Sequence, residues 1–201
     1  MKRIIEILLA LFFSGYCFAQ NSFNECRDSI QWHFNNDTAF DFGNNISKWQ
    51  NCIQGKQMPE LSLETITGEK IETKDLKGKV IVINLWFTTC QPCIAELPAL
   101  NRLVEEYKKK NVVFLGISTD TKTILDTDFF PKYKFDFKII ADGDVICKKI
   151  GRTGFPTIYI IDRTGKVKDA WIGGLSANDK TAETAVYLKA KPIIDELLKA
   201  E

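Results

Sequence analysis

Apolar and polar positions follow two different periods along this chain, and the switches between them mark its elements. The most continuous apolar run is Val80 to Phe87, interrupted only by Asn84. A run of that length with no polar face predicts a strand buried on both sides. Val112 to Ser118 is a second such strand. Between them Leu97, Leu100, Leu103, Val104 and Tyr107 recur at helical spacing, with Pro98 inside as an expected kink. Upstream, Pro59 to Thr65 alternates like an edge strand, Thr67-Gly68 turns, and Lys70-Ile71-Glu72 returns as a hairpin. Residues 75–79 read as a loop into the central strand. Downstream, Thr123 to Tyr133 is helical with a break at Pro131, Phe135 to Ile140 a short strand, and Asp144 to Ile150 a short helix. Thr157 to Asp162 and Lys166 to Ile172 are strands joined by Arg163-Thr164-Gly165. Thr181 to Lys199 is a closing helix with a weak point at Pro192. The order predicts an α/β fold with a central mixed β-sheet flanked by helices and an added N-terminal β-hairpin.

The first residues follow neither period. Met1-Lys2-Arg3 is basic, Ile4 to Phe13 is apolar apart from Glu6, and Cys17-Phe18-Ala19 offers small residues where a signal peptidase reads them. Residues 1–19 are therefore expected to be a secretory signal peptide, with Gln20 as the mature start. An uncleaved anchor is the alternative, although the apolar stretch is short for a span. Acylation at Cys17 is disfavoured by the bulk of Tyr16. Residues 20–57, containing Trp32, His33 and Trp49, form an N-terminal extension with little helical or strand periodicity between Cys26 and Cys52. Its aromatics are expected to cover part of the main domain's surface, a partner-binding role being the alternative. Residues 58–201 form the main domain. Cleavage removes Lys2, Arg3 and Glu6 from 27 basic and 26 acidic side chains, leaving a formal balance of zero. No nucleic-acid footprint or polybasic membrane patch follows from such a balance. Lys108-Lys109-Lys110 reads as a helix end, where cations suit the dipole.

The chemistry lies in the thiols. Cys90 sits where the central strand gives way to a helical pattern, and Cys93 follows one turn later. Unpaired backbone N–H groups and the helix dipole favour a thiolate at that position. The thiolate is the nucleophile of disulfide exchange. Cys93 lies on the same helix face and can close a small ring with Cys90, which Pro92 stiffens from the first turn. A C-x-x-C after a strand is the redox reading of such a pair. Export favours disulfides elsewhere too. Cys26 and Cys52 flank an Asn-rich segment and are expected to form a structural disulfide, the alternative being two unrelated thiols. Cys147 reads as a buried small hydrophobe.

Four stretches carry a family resemblance: Lys77-Gly78-Lys79-Val80, Asn84-Leu85-Trp86, Cys90-Gln91-Pro92-Cys93-Ile94-Ala95-Glu96-Leu97-Pro98 and Gly154-Phe155-Pro156-Thr157. Through them, residues 56–199 resemble the exported thioredoxin-like thiol-disulfide oxidoreductases of the TlpA/ResA type. The resemblance implies a thioredoxin-like fold and a cis Phe155-Pro156 bond facing the cysteines. It gives Phe155 and Pro156 a substrate-binding role, with the Phe155 backbone pairing an extended substrate. It places Glu96 where the family carries an acid. A carboxylate one turn past Cys93 could accept its proton, or could be an exposed helix residue. Asn84 occupies the place of the buried acid of cytoplasmic thioredoxins and cannot do that job. Trp86, Gln91 and Pro92 are supporting residues, and Thr89 replaces a common Trp. The resemblance also implies periplasmic, possibly membrane-associated, work on exported disulfide-containing proteins, with a membrane electron donor. No cofactor and no metal are expected.

The direction of exchange depends on thiolate stabilisation. Strong oxidants of the DsbA kind lie near about −120 mV and thioredoxin near about −270 mV. Gln91-Pro92 brings no His to the pair, which predicts the reducing side. A thiol peroxidase on the same fold usually wants Thr three residues before its cysteine, where this chain has Phe87. A copper chaperone would need His near the pair, and the one histidine is His33. Zinc would need two further ligands. A non-catalytic binding module with a structural disulfide is the remaining alternative.

Overall fold

The computed structural model describes residues 23–28, 42–151, 154–173 and 179–199. The expected signal peptide, Trp32 and His33 lie outside them. A short helix α1 covers 23–28, and α2 covers Phe42–Ile53. The hairpin is β1 (Ser62–Glu64) and β2 (Lys70–Glu72), antiparallel with Leu63 opposite Ile71. Then follow β3 (Val80–Trp86), α3 (Gln91–Tyr107), β4 (Val112–Ser118), α4 (Lys122–Ile124), β5 (Lys138–Ile140) and α5 (Asp144–Ile150). The chain closes with β6 (Thr157–Ile161), β7 (Val167–Ile172) and α6 (Asp179–Lys199).

Five strands form one sheet in the order β5-β4-β3-β6-β7. β3 runs parallel to β4, pairing Val80 with Val112 through Trp86 with Ser118, and antiparallel to β6. β4 and β5 are parallel, β6 and β7 antiparallel. This is the expected mixed sheet. The central strand is buried along its whole length, as its unbroken apolar run requires.

Alternation along β3 divides the core into two layers. Ile81, Ile83 and Leu85 face a cluster holding Trp49, Ile53, Leu63, Cys147 and Tyr159. Val80, Val82 and Trp86 face Leu100, Leu103 and Phe129, with Ala190 and Ile194 of α6 behind. Asn84 shares the parity of Trp86, so it points to the layer that holds both cysteines.

The extension differs from its expected irregularity. α1 and α2 are helices, and Phe23, Cys26, Ile46, Trp49 and Ile53 are buried in the first layer. Ile46, Trp49 and Ile53 recur at helical spacing, a signal that the many asparagines obscured. Cys26 and Cys52 are joined by a disulfide. Trp49 packs edge-on to Tyr159 at 5.9 Å, and Gln50 Nε2 donates to Ala170 O at 2.8 Å. Arg27 Nη1 donates to Lys149 O at 2.8 Å, a cation at the end of α5 where the dipole is negative. The segment after α2 then pairs with the outer edge of β7. Gly55 N donates to Val167 O at 2.7 Å, Val167 N to Lys56 O at 2.9 Å, and Gln57 bridges Lys166. At the opposite margin Ile66 N donates to Ile139 O at 2.9 Å, and Lys138 pairs with Glu69.

Three smaller expectations are adjusted. Part of the predicted loop at 75–79 is a 3-10 turn, Thr73–Leu76, anchored by Leu61 N on Thr73 Oγ1 at 2.8 Å. The predicted helix at 123–133 is α4, capped by Thr121, followed by one wide π-turn at Leu125–Phe129 that buries Leu125 and Phe129. β5 is shorter than predicted because Phe135 and Phe137 stack on each other at 4.6 Å, and Phe135 meets Trp86 at 5.2 Å, instead of joining the ladder.

Candidate active site

β3 ends at Trp86, and a tight turn, closed by Cys90 N on Phe87 O at 3.2 Å, delivers Cys90 to the start of α3. Cys90 is the N-cap of that helix. Its Sγ accepts the Cys93 backbone N–H at 3.2 Å, and Pro92 occupies the first turn, where its missing donor costs nothing. Cys90 and Cys93 are joined by a disulfide and are 5% and 2% exposed. When the pair is reduced, a sulfur in this position receives an N–H donor and the positive end of a 17-residue helix. Both favour the thiolate.

The turn itself is held by a residue that the sequence reading missed. Asp120 Oδ2 accepts Thr88 N at 2.6 Å and Ser118 Oγ at 3.4 Å, while Asp120 N donates to Ser118 Oγ at 3.1 Å. Asp120 follows β4 by two residues, and β4 runs parallel to β3, so its place beside the turn follows from the register. Sequence spacing alone carried no sign of it.

Gly154, Phe155, Pro156 and Thr157 form the facing turn. The Phe155–Pro156 bond is cis, as the resemblance implies, and Thr157 Oγ1 donates to Gly154 O at 2.7 Å. The Phe155 ring meets Phe87 edge-on at 5.1 Å, which brings this turn against the one that carries Cys90.

Glu96 is 2% exposed, which removes the alternative of a solvated helix residue. It lies one turn beyond Cys93 on the face that also buries Leu97, Leu100, Leu103 and Tyr107. The end of β7 covers it. A methyl group on Gly173 would come within 2.2 Å of Glu96 Oε1 and 2.9 Å of Pro156 Cγ. Gly173 N donates to Pro156 O at 2.8 Å, so this glycine ties the facing turn to β7. Asn84 and Trp86 are buried on the same side of the sheet. Asn84 Oδ1 and Trp86 Nε1 have no hydrogen-bond partner among the described residues. Trp86 packs on Phe129 at 4.5 Å and so fixes the wall behind the pair. Gln91 is exposed at the mouth of an open groove of about 510 Å³, lined also by Ile94, Pro98, Lys132, Tyr133 and Glu183.

α3 is clamped to α6 away from the sulfurs. Tyr107 Oη donates to Asp195 Oδ1 at 2.6 Å, and Lys191 Nζ reaches Asp195 Oδ2 at 2.6 Å. Hydrogen bonds from Lys191 and then Tyr107 hold the Asp195 carboxyl below its usual range. Burial, with the Asp195 hydrogen bond second, pushes the Tyr107 phenol up. No group of three or more His, Cys, Asp or Glu placed to hold a metal occurs among the described residues.

A disulfide at the N-terminus of the helix that follows the central strand of a mixed sheet, faced by a cis-proline turn, defines the thioredoxin-like class. Residues 54–170 match the AhpC/TSA family, so the chain belongs to that family. The thiol-disulfide oxidoreductase ResA of Bacillus cereus is 37% identical over 123 residues, covering 61% of this chain and 71% of the relative. The thioredoxin-like protein YneN of Bacillus subtilis is 33% identical over 145 residues, covering 71% and 85%. A solved structure described as the thiol:disulfide interchange protein DsbE of Chlorobium tepidum superposes with a TM-score of 0.57. It is 26% identical and covers 67% of this chain and 96% of its own. The protein is a thiol-disulfide oxidoreductase of the ResA and DsbE type.

Proposed function

We propose that the exchange runs through Cys90-Gln91-Pro92-Cys93 and that the protein reduces disulfides of exported proteins. The observation that carries this reading is the Cys90 sulfur at a helix N-terminus with Cys93 N–H directed at it. In the reduced protein the Cys90 thiolate attacks a substrate disulfide, forming a mixed disulfide and releasing one substrate thiolate, which takes up a proton. Cys93 then gives its proton to Glu96 and attacks Cys90 Sγ. The second substrate sulfur leaves as a thiolate and takes that proton from Glu96, and the Cys90–Cys93 disulfide closes. The substrate has gained two electrons from the protein and two protons, one from solvent and one from Cys93 by way of Glu96. The burial of Glu96 on the face of Cys93 supports its part as proton acceptor. Phe155 and Pro156 would receive the extended substrate beside the sulfurs, with Gln91 and Pro92 shaping the mouth and Asn84 and Trp86 backing it.

Export is part of this reading. The basic and apolar stretches of residues 1–19 support a signal peptide, and the Cys26–Cys52 disulfide supports an oxidising compartment such as the periplasm. Among the described residues no helix is long and apolar enough to cross a membrane. Re-reduction then requires a dithiol donor, and the family resemblance supports a membrane protein in that part.

The test is a redox titration of the mature chain combined with mass spectrometry of alkylated peptides. A reversible Cys90–Cys93 couple below about −220 mV is expected, and C93S should accumulate a mixed disulfide that C90S never forms. A couple near about −120 mV would reverse the direction of electron flow. The absence of any reversible couple would leave a binding module.

A further inference from the structure

We propose that Gly173 is a positioning residue for Glu96: its missing side chain is the seat of the Glu96 carboxylate. The proposal rests on the reading of Glu96 as proton acceptor for Cys93 and adds what sets its place.

The geometry is specific. A Cβ on Gly173 would stand 2.2 Å from Glu96 Oε1 and 2.9 Å from both Glu96 Cδ and Pro156 Cγ. Those separations lie well inside van der Waals contact for carbon. The carboxylate therefore occupies the volume that any other residue at 173 would fill, between the end of β7 and the proline ring. Gly173 does not have the positive φ seen at Gly55, Gly68, Gly78, Gly151 and Gly165, so no turn conformation requires glycine here. What requires it is the close approach of Glu96. The backbone is fixed as well, because Gly173 N donates to Pro156 O at 2.8 Å. One residue thus spaces the substrate-facing turn and receives the acid behind the second cysteine.

The arrangement makes the carboxylate's position, as distinct from its presence, a separate variable. The flexible end of Glu96, at 2.2 Å, yields further to a methyl at 173 than the Pro156 ring at 2.9 Å, so Gly173→Ala chiefly displaces the acid without deleting it. Of the chain around Glu96, the two described segments that bring Gly173 and Pro156 against it, residues 154–157 and 170–173, contain no ionisable side chain. On its own helix the titratable neighbours are Cys90 and Cys93. Lys189 of α6 is directed at the Trp171 ring, 4.4 Å from its centroid.

The experiment isolates the resolving step in the full chain. Reduced protein is mixed with glutathione disulfide, and acid quench with mass spectrometry follows the Cys90–glutathione mixed disulfide as Cys93 resolves it across pH. G173A is expected to raise the midpoint of that pH profile by about one unit, equivalent to about tenfold slower resolution below the midpoint. E96A is expected to raise it also, and G173A/E96A should match E96A alone. An equal added effect of G173A in the E96A background overturns the proposal, as does a G173A profile that superimposes on the parent while E96A shifts. An E96A profile unchanged from the parent overturns the proton-acceptor reading itself, a separately recognisable result that takes this proposal with it. Should G173A not fold, G173A/E96D, whose shorter side chain vacates the contested volume, is expected to fold. Failure of both overturns the assignment.

Discussion

Replacing Cys26 and Cys52 together by alanine removes a crosslink that spans 26 residues of chain. Alanine suits the pair because Cys26 is buried among apolar side chains, where a serine hydroxyl would add its own desolvation cost. In the chain-entropy account, a loop of that length restricts the unfolded ensemble by about 12 cal/mol/K, or about 3.5 kcal/mol at 25 °C. For a chain of this size that corresponds to a fall of about 7–14 °C in Tm. Reductant cannot substitute for the mutations, since it would also open Cys90–Cys93 and mix two effects. The assay is urea unfolding of the oxidised double variant beside the oxidised parent, with Cys147 left in place in both. Exchange activity in the folded range should be unchanged, because the disulfide belongs to the layer of the sheet opposite the active pair. A loss below about 1 kcal/mol would refute the reasoning. It would mean that the buried contacts of Phe23, Ile46, Trp49 and Ile53 already hold the extension in the unfolded ensemble's compact states, leaving little entropy for the bridge to remove.

Two further outcomes are expected. Asp120→Ala removes the acceptor that holds the Thr88 N–H at 2.6 Å, so it should cost about 1–3 kcal/mol and slow mixed-disulfide formation at Cys90 more than a distant variant of equal stability; equal rates in the two would count against its role in the turn. Asp195→Asn should flatten the acid limb of the stability profile. The Asp195 pKa is depressed in the folded state, so its contribution is full above the unfolded value of about 3.9 and is lost as pH falls through the folded one. Urea melts at neutral and acid pH should therefore show the parent losing more than the variant, and parallel losses would sink the assignment.

The central strand and the helix start at Cys90 were legible because their residues act locally. β4 and α5 carry the boundaries that the apolar pattern predicted. Glu96 was half legible: its spacing put it one turn past Cys93, but its polarity left an exposed alternative open. α2 was obscured because asparagines dominate the composition while Ile46, Trp49 and Ile53 keep the helical period. Asp120 and Gly173 were invisible to any linear reading. Each matters only through a partner brought from another strand, Thr88 in one case and Glu96 with Pro156 in the other. Non-local pairs of this kind leave no local period to detect.

The two margins of the sheet carry a consequence for traffic with unfolded chains. An enzyme whose work is to meet extended, partly folded polypeptides runs the risk that they add to its own sheet as extra strands. Here residues 55–57 already pair with the start of β7 at Lys166 and Val167, and Ile66 with the Lys138–Glu69 pair lies against β5. On the function proposed above, a client chain would meet lateral edges at which Val167 and Ile139 already have backbone partners. Under that reading its backbone would pair at the turns around Cys90 and Phe155, where exchange chemistry can release it, in preference to adding a strand to the sheet.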